Sequence, residues 1–189
     1  IAQLAFAREE WDEAARWLEQ VLELLPPDAV ERIDDTRMRL GEVRLRLGQL
    51  AEARRHLELV LADAPHRVNA TEMLATTYES LGLHPEAAAL WGRLARLYTD
   101  PAQGAEALYR QGEILRVALG DLDRANDAFL RSSDLDPTFV PTLIRLVLYY
   151  WDRGELANVA EVGLELLKTV EGVNALAEED TGLLVALAA

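Results

Sequence analysis

The chain has 189 residues, of which 50% are hydrophobic and 28% are charged, so it is long enough to bury a packed core. Its formal net charge of −14 argues against binding to nucleic acid or to an anionic membrane surface, because Lys and Arg side chains supply most of the affinity for both. The absence of cysteine excludes a disulfide framework and thiolate chemistry. The acidic charge either serves solubility or selects a basic partner.

Sorting signals are not visible in the sequence. No apolar run approaches the roughly 20 residues needed to span a bilayer, and no signal peptide is recognisable. The first residue is Ile1 and not Met, so we expect the native N terminus to lie upstream. The lack of cysteine slightly favours the cytoplasm and does not exclude the periplasm. The use of Arg in place of Lys, with Lys168 the single lysine, is typical of a GC-rich bacterial genome.

The first half of the chain predicts helices separated by short breaks. Ile1–Arg8 has the pattern of a helix end, and Pro26-Pro27 ends the helix after it. Asp28 and Glu31 then form a capping-box pattern, which predicts a helix from about Asp28 to Leu47. The other helices predicted in this half are Trp11–Leu25, Leu50–Ala62, His66–Leu81 and Pro85–Leu97.

The second half continues in the same way. Asp100 followed by Pro101, with Gln103 three residues after the Asp, is a helix-start signal. The predicted helices are Ala102–Leu119, Leu122–Leu135, Pro141–Arg153 and Leu156–Val170. Ala175–Ala189 is a short and strongly apolar segment that predicts one more helix. No alternating strand pattern occurs.

One helix–turn–helix pattern recurs along this series, and Leu40–Pro65 is its clearest copy. Gly41 lies inside the first helix, Gly48 ends it, and Ala53, Leu57 and Val60 fall on one face of the second helix. Ala53 is followed at a step of 34 residues by Ala87, at 38 by Ala125, and again at 34 by Val159. The longer step includes one extra residue between Gly112 and Gly120.

A helical hairpin repeated at about 34 residues with small residues at the crossing points is the tetratricopeptide (TPR) pattern, and the chain resembles the TPR family over nearly its full length. The resemblance implies an all-α fold, a right-handed α-solenoid of about five TPR-like repeats plus a partial sixth. We expect residues 1–189 to form a single superhelical domain that is a segment of a longer repeat array. The expected repeats are residues 1–27, 28–65, 66–100, 101–137 and 138–172, with a partial repeat at 173–189. The last full copy departs from the pattern, because Val159 and Gly163 replace the expected Ala and aromatic residue.

The residues that could carry chemistry do not form a recognisable site. No metal-binding HExxH, nucleophile elbow or phosphate-binding glycine loop occurs, and acidic pairs such as Glu178-Glu179 are typical of solvated helices. We therefore expect no enzyme activity, no cofactor and no metal. The three histidines, His56, His66 and His84, are predicted to lie on the surface. Trp91 is predicted to lie in the core.

What remains is a surface. In the TPR family the first helix of each repeat turns one face to its partner helix and the other to a concave groove, so the phase of the repeats predicts the groove residues. Repeats two and three contribute Met38, Glu42, Leu45, Arg46, Asn69, Glu72, Thr76 and Glu79. Repeats four and five contribute Glu106, Tyr109, Glu113, Arg116, Ile144, Leu148, Trp151 and Asp152. We call these sixteen residues the inner stripe.

The sequence thus favours a non-catalytic scaffold or adaptor that binds a peptide or helix of another protein in this groove. The acidic middle of the inner stripe favours a basic partner, and Tyr109, Leu148 and Trp151 favour an apolar anchor. A clamp for an acidic peptide terminus is disfavoured, because the stripe contains no Lys. The alternative is an architectural segment whose repeats pack against other domains or subunits of a larger complex. Self-association through exposed terminal repeats also stays open.

Overall fold

The computed structural model describes residues 10–169, which form α-helices and one π-helical turn with no strand among them. The helices are α1 (Trp11–Leu24), α2 (Val30–Arg46), α3 (Leu50–Asp63), α4 (Val68–Ser80), α5 (His84–Leu97), α6 (Pro101–Glu113), α7 (Leu122–Leu135), α8 (Val140–Asp152) and α9 (Leu156–Leu167). The π-helical turn, Ile114–Ala118, extends α6. The helices predicted for Ile1–Arg8 and Ala175–Ala189 lie outside the described residues. Within residues 10–169, no helix combines the length and apolarity needed to cross a bilayer.

The observed helix boundaries fall within a few residues of the predicted ones, so the all-α helical-repeat class is confirmed. Four of the turns inside hairpins contain a glycine with a φ angle between 67° and 71°. This left-handed conformation costs little only when there is no Cβ, which is why Gly48 ends α2 and its counterparts end the helices of later hairpins. Those counterparts are Gly82, Gly120 and Gly154.

The two predicted helix-start signals have different outcomes. Asp100 caps α6, since its Oδ1 accepts a hydrogen bond of 3.1 Å from the backbone N–H of Ala102 and Pro101 is the first helical residue. The capping box predicted at Asp28 and Glu31 is wrong. Ala29 is the N-cap of α2 and no side chain caps it. The backbone N–H of Ala29 bonds to the carbonyl of Pro26 at 3.0 Å, so Asp28 lies inside a turn that precedes the helix.

The residues divide into two compact units, with the boundary between Leu90 and Trp91 inside α5. In unit 1, α2 packs against α1 and α3, and α3 packs against α4. Its core contains two clusters of buried apolar residues: Ala14, Ala15, Leu18, Leu40 and Val43 in one, and Leu57, Val60, Ala70 and Leu74 in the other. In unit 2, α7 packs against α6 and α8, and α8 packs against α9. One cluster in unit 2 consists of Leu143, Ile144, Val147, Val159 and Leu166.

The face predicted for the second helix of each hairpin is buried in the second to fifth copies. The residues that occupy it in the second to fifth hairpins are Ala53, Leu57 and Val60; Ala87, Trp91 and Leu94; Ala125, Phe129 and Ser132; and Val159, Gly163 and Leu166. In the first hairpin Ala14 and Leu18 are buried, but the prediction is wrong for Val21, which is 39% exposed. Trp91 is only 3% exposed, which confirms its predicted place in the core. Ser132 is satisfied in this position, because its hydroxyl donates to the carbonyl of Ala105 at 2.8 Å and lies 2.7 Å from the hydroxyl of Thr142.

The extra residue of the fourth repeat is accommodated in the π-helical turn. In three hairpins the residue after the turn glycine donates to a carbonyl five residues back, as Gln49 does to Arg44 at 2.8 Å. In the fourth hairpin Asp121 donates to Leu115, six residues back, also at 2.8 Å. A π-helical ring holds one more residue than an α-helical ring, so the insertion widens the last turn of the helix and leaves the hydrogen bonding intact.

Glycines inside the first helices allow the two helices of a hairpin to approach closely. A Cβ at Gly41 would lie 2.8 Å from Cγ of Leu57, and a Cβ at Gly112 would lie 2.7 Å from Cδ1 of Phe129. Both distances are shorter than a real carbon–carbon contact. The large side chain of the second helix therefore fills the space that a Cβ on the first helix would occupy.

We expect Gly112→Ala to lower the free energy of unfolding by about 1–3 kcal/mol, because overpacking against the buried Phe129 ring outweighs the gain of about 1 kcal/mol in helix propensity. Urea denaturation of Gly112→Ala, of Phe129→Leu and of the double variant measures this. In the Phe129→Leu background the cost of Gly112→Ala should shrink, since the smaller side chain leaves room for the methyl group. Equal costs in the two backgrounds would contradict the close-approach explanation.

His56 is not a surface histidine, and the prediction for it is wrong. It is half-buried on α3, and its Nδ1 atom has no hydrogen-bond partner within the described residues. Burial lowers the pKa of His56, and the positive charges of Arg44 and Arg55 lower it further. His66 is exposed and His84 is half-buried.

This lowered pKa predicts a pH-dependent stability. Below about pH 6.5 His56 is protonated in the unfolded chain, whereas in the folded chain it stays neutral until the pH approaches its lower folded-state pKa. The free energy of unfolding should therefore fall as the pH drops from about 6.5 towards the folded-state pKa. Urea denaturation at about pH 7.5 and 5.5 checks this. His56→Gln should reduce the difference between the two pH values, whereas the matched variant His66→Gln, at an exposed position, should leave it as it is in the unaltered chain. An undiminished difference in His56→Gln would count against this role.

Candidate protein-interaction surface

In unit 1, the inner stripe presents a polar and mainly acidic surface. Arg46, Asn69 and Glu72 are exposed. Glu42, Leu45, Thr76 and Glu79 are half-buried. Met38 is also half-buried, but its side chain packs against the core cluster that contains Leu57 and Leu74. Met38 therefore contributes mainly to packing, and the remaining stripe of this unit offers charge and hydrogen-bonding groups.

In unit 2, the acidic part of the stripe carries ion pairs. Glu106 is exposed and pairs with Arg110 one helical turn on, at 3.1 Å. Glu113 accepts two hydrogen bonds from Arg116, at 3.0 and 2.9 Å, and pairs with Nε of Arg145 at 3.1 Å. Burial raises the pKa of Glu113, but the hydrogen bonds from Arg116 and the charge of Arg145 outweigh it, so the net shift is downward. Glu113 is therefore an ionised carboxylate held between two guanidinium groups.

Tyr109 is committed to packing in this structure. The residue is half-buried, and its ring lies 5.8 Å from that of Phe129 and 5.7 Å, edge-on, from that of Phe139. These centroid distances are those of favourable aromatic pairs. The ring therefore links α6 to α7 and to the segment before α8.

The apolar end of the inner stripe runs along α8 and becomes more exposed towards the end of the helix. Ile144 is 7% exposed and belongs to the core cluster, so it is corrected from a groove residue to a core residue. Leu148 is half-buried against the same cluster, whereas Trp151 is 41% exposed. Asp152 is exposed next to it. An aromatic side chain of this size with two-fifths of its surface in water is the kind of residue that anchors protein interfaces.

The structure also contains a cleft that the sequence did not predict. It has a volume of about 810 Å³ and lies in unit 2, where the π-helical turn and the start of α7 face the end of α8. We call it the turn-end cleft. Arg116, Leu148 and Asp152 of the inner stripe line it. Eleven residues outside that stripe also line it, among them Leu119, Asp123, Phe129, Arg145, Tyr149 and Arg153. The extra residue between Gly112 and Gly120 was the signal that could have revealed it.

No group of His, Cys, Asp and Glu within residues 10–169 has the arrangement of a metal site. The structure instead offers surfaces with mixed charge and partly exposed aromatic and aliphatic side chains. Such surfaces suit recognition of another molecule.

Comparison with known proteins identifies the family. Two tetratricopeptide-repeat models match residues 38–102 and 106–137, which together are just over half of the chain. The chain belongs to the tetratricopeptide-repeat family. No significant match was found among curated protein sequences.

Solved structures with the same fold include a MamA structure, with 21% identity and a TM-score of 0.69 over 94% of this chain and 97% of that one. MamA residues 41 to the end from Desulfovibrio magneticus RS-1 has 16% identity and a TM-score of 0.65, over 93% and 92%. A tetratricopeptide repeat protein from Parabacteroides merdae ATCC 43184 has 18% identity and a TM-score of 0.70, over 99% and 68%. At these identities the likeness shows the fold alone. Membership of the repeat family makes the chain a protein-interaction scaffold in the general sense.

The contrast between two tryptophans tests the division between core and surface. Trp91→Ala should lower the free energy of unfolding by about 3–5 kcal/mol, because it leaves a cavity in the core. Trp151→Ala should cost at most about 1 kcal/mol, because its ring is already partly in water. Urea denaturation followed by circular dichroism measures both. Comparable losses for the two variants would mean that Trp151 is a core residue.

Proposed function

We propose that the chain is a non-catalytic scaffold that binds a peptide or helix of a partner protein on the inner faces of its first helices. The observation that supports this most strongly is Trp151, a large aromatic side chain that is 41% exposed on α8 beside the half-buried Leu148. Trp is enriched among the residues that contribute most to protein interfaces, and an exposed Trp next to a half-buried Leu can serve as such an anchor. Leu148 and Trp151 are the proposed apolar anchor site.

The charges of the same surface favour a basic partner. The exposed acidic groups of the inner stripe include Glu72 in unit 1 and Glu106 and Asp152 in unit 2. The chain as a whole carries a formal charge of −14, which would attract a positively charged protein before contact. Partner binding should therefore weaken as the salt concentration rises.

The second candidate is an architectural segment of a larger protein or complex. It is supported by the outer face of α9, where Leu156 and Leu164 are 65% and 60% exposed. In this case the chain would be one part of a longer array or would pair with a second copy. Sedimentation of the full-length natural protein separates these alternatives, because a monomer with an intact partner-binding surface favours the scaffold.

Affinity purification from the source organism tests the scaffold proposal. The unaltered chain should retain a partner that Trp151→Ala loses, and the partner should elute with about 0.5 M salt, at which attraction between exposed charges is largely screened. Leu164→Ala, on the outer face of α9, is the matched control and should retain the partner. If Leu164→Ala loses the partner and Trp151→Ala keeps it, the architectural alternative replaces the scaffold.

A further inference from the structure

The turn-end cleft lies beside a feature that, among the hairpins whose two helices the structure describes, only the fourth has. The spacing from Gly112 to Gly120 is one residue longer than that from Gly41 to Gly48, and the π-helical turn takes up the difference. Leu119, just before the turn glycine, is consequently 39% exposed and lines the cleft. Its counterparts Leu47 and Leu81 are half-buried. π-Helical insertions are frequent at functional sites.

The cleft has an apolar floor. Phe129, which is buried, and Leu148, which is half-buried, supply this floor, and Leu119 and Tyr149 also line the cleft. Phe129 is almost fully buried at 2% exposure, so the floor is fixed by the core beneath it. A volume of about 810 Å³ is in the range of pockets that hold a drug-sized ligand or a few side chains.

The charged residues that line the cleft differ in how far they are neutralised. Arg116 and Arg145 are both paired with Glu113, so an anionic ligand would have to compete with that carboxylate. Asp123 accepts a hydrogen bond from the hydroxyl of Tyr149 at 3.4 Å. Asp152 makes no hydrogen bond or ion pair with any residue that the structure describes.

A third cation lines the cleft, but a carboxylate already neutralises it. Arg153 pairs with Glu155 at 2.8 Å and lies over the ring of Tyr149, 5.3 Å from its centre. Among the carboxylates that line the cleft, Asp121 pairs with Arg124 at 3.4 Å, whereas Asp123 and Asp152 form no ion pair with a residue that the structure describes. These two carboxylates are the part of the lining that is left to pair with a cation.

We propose that the turn-end cleft binds a segment of a partner protein that carries a bulky aliphatic side chain directly before a Lys or Arg. The aliphatic side chain packs on Phe129 and Leu148, and the cation pairs with Asp152 and Asp123. This rests on the proposed scaffold function and gives its partner a sequence pattern. It also assigns the recognition to the fourth and fifth repeats, at the end of the hairpins where the insertion lies.

The test uses the 189-residue chain and fluorescent peptides of about ten residues. One peptide carries two Leu–Lys pairs, a second has Glu in place of each Lys, and a third has Ser in place of each Leu. The Leu–Lys peptide should bind, and each of the other two should bind at least about tenfold more weakly, because each removes one of the two contacts. Equal binding of the Leu–Lys and Leu–Glu peptides, or no binding of the Leu–Lys peptide at millimolar concentration, overturns the proposal.

Charge reversal at the cleft gives the matched comparison. Asp152→Lys should weaken binding of the Leu–Lys peptide at least about tenfold, whereas Asp127→Lys, the same charge change at an exposed position of α7 outside the cleft, should change it less than about twofold. Similar effects of the two variants would mean that only the net charge matters, which overturns the proposal.

Removal of the insertion tests its structural origin. Deletion of Val117, which is 69% exposed, returns the glycine spacing to that of the other hairpins. The deletion variant should stay helical and unfold cooperatively while its affinity for the Leu–Lys peptide falls at least tenfold. Unchanged affinity overturns the proposal. If the deletion variant does not fold, Leu119→Ser, which keeps the insertion, takes its place: it should weaken binding of the Leu–Lys peptide, and unchanged affinity in this variant overturns the proposal in the same way. A peptide that still binds Asp152→Lys but is lost with Trp151→Ala would leave the scaffold function standing and reject the cleft.

Discussion

The close approach of two helices at a glycine is the contact on which the second and fourth hairpins depend. Gly41 and Gly112 let Leu57 and Phe129 occupy the space where a Cβ would otherwise lie. Because interiors are packed to crystal-like density, such a contact fixes the distance and the rotation of the two helices at once. It therefore also fixes which side of the first helix is left for other contacts.

This contact explains how the fourth repeat can contain an extra residue and still form a helical hairpin. The glycine contact at Gly112 comes before the insertion, and the left-handed glycine at Gly120 comes after it. The π-helical turn lies between these two points, so the extra residue alters only the end of the hairpin. A local change of this kind can create a binding cleft at small cost, because each hairpin of a repeat protein contacts chiefly its neighbours.

Much of the fold could be predicted from the sequence, because the repeat places the same types of residue at the same points. The helices, the turn glycines and the burial of Trp91 all follow from that periodicity. The predictions that are wrong concern features that depend on neighbours and not on period. His56 has the sequence surroundings of an exposed flank but is half-buried beside Arg44, and the start of α2 is set by a turn at Pro26 and not by the side chain of Asp28.

The candidate surface could be predicted less well for a related reason. Phase alone assigned Ile144 and Tyr109 to the groove, but the depth of each residue depends on what lies opposite it, which is α9 for Ile144 and two aromatic rings for Tyr109. The turn-end cleft needed knowledge of where one extra residue would be taken up, and no periodic pattern contains that information.

A ¹⁵N-resolved NMR titration of the chain with the Leu–Lys peptide tests most directly whether the fourth and fifth repeats form the binding surface. The account predicts that the largest shift changes cluster at the π-helical turn, the start of α7 and the end of α8, including the indole signal of Trp151. Shift changes that are centred on the acidic stripe of unit 1, or that are spread evenly over acidic surface positions, would contradict it.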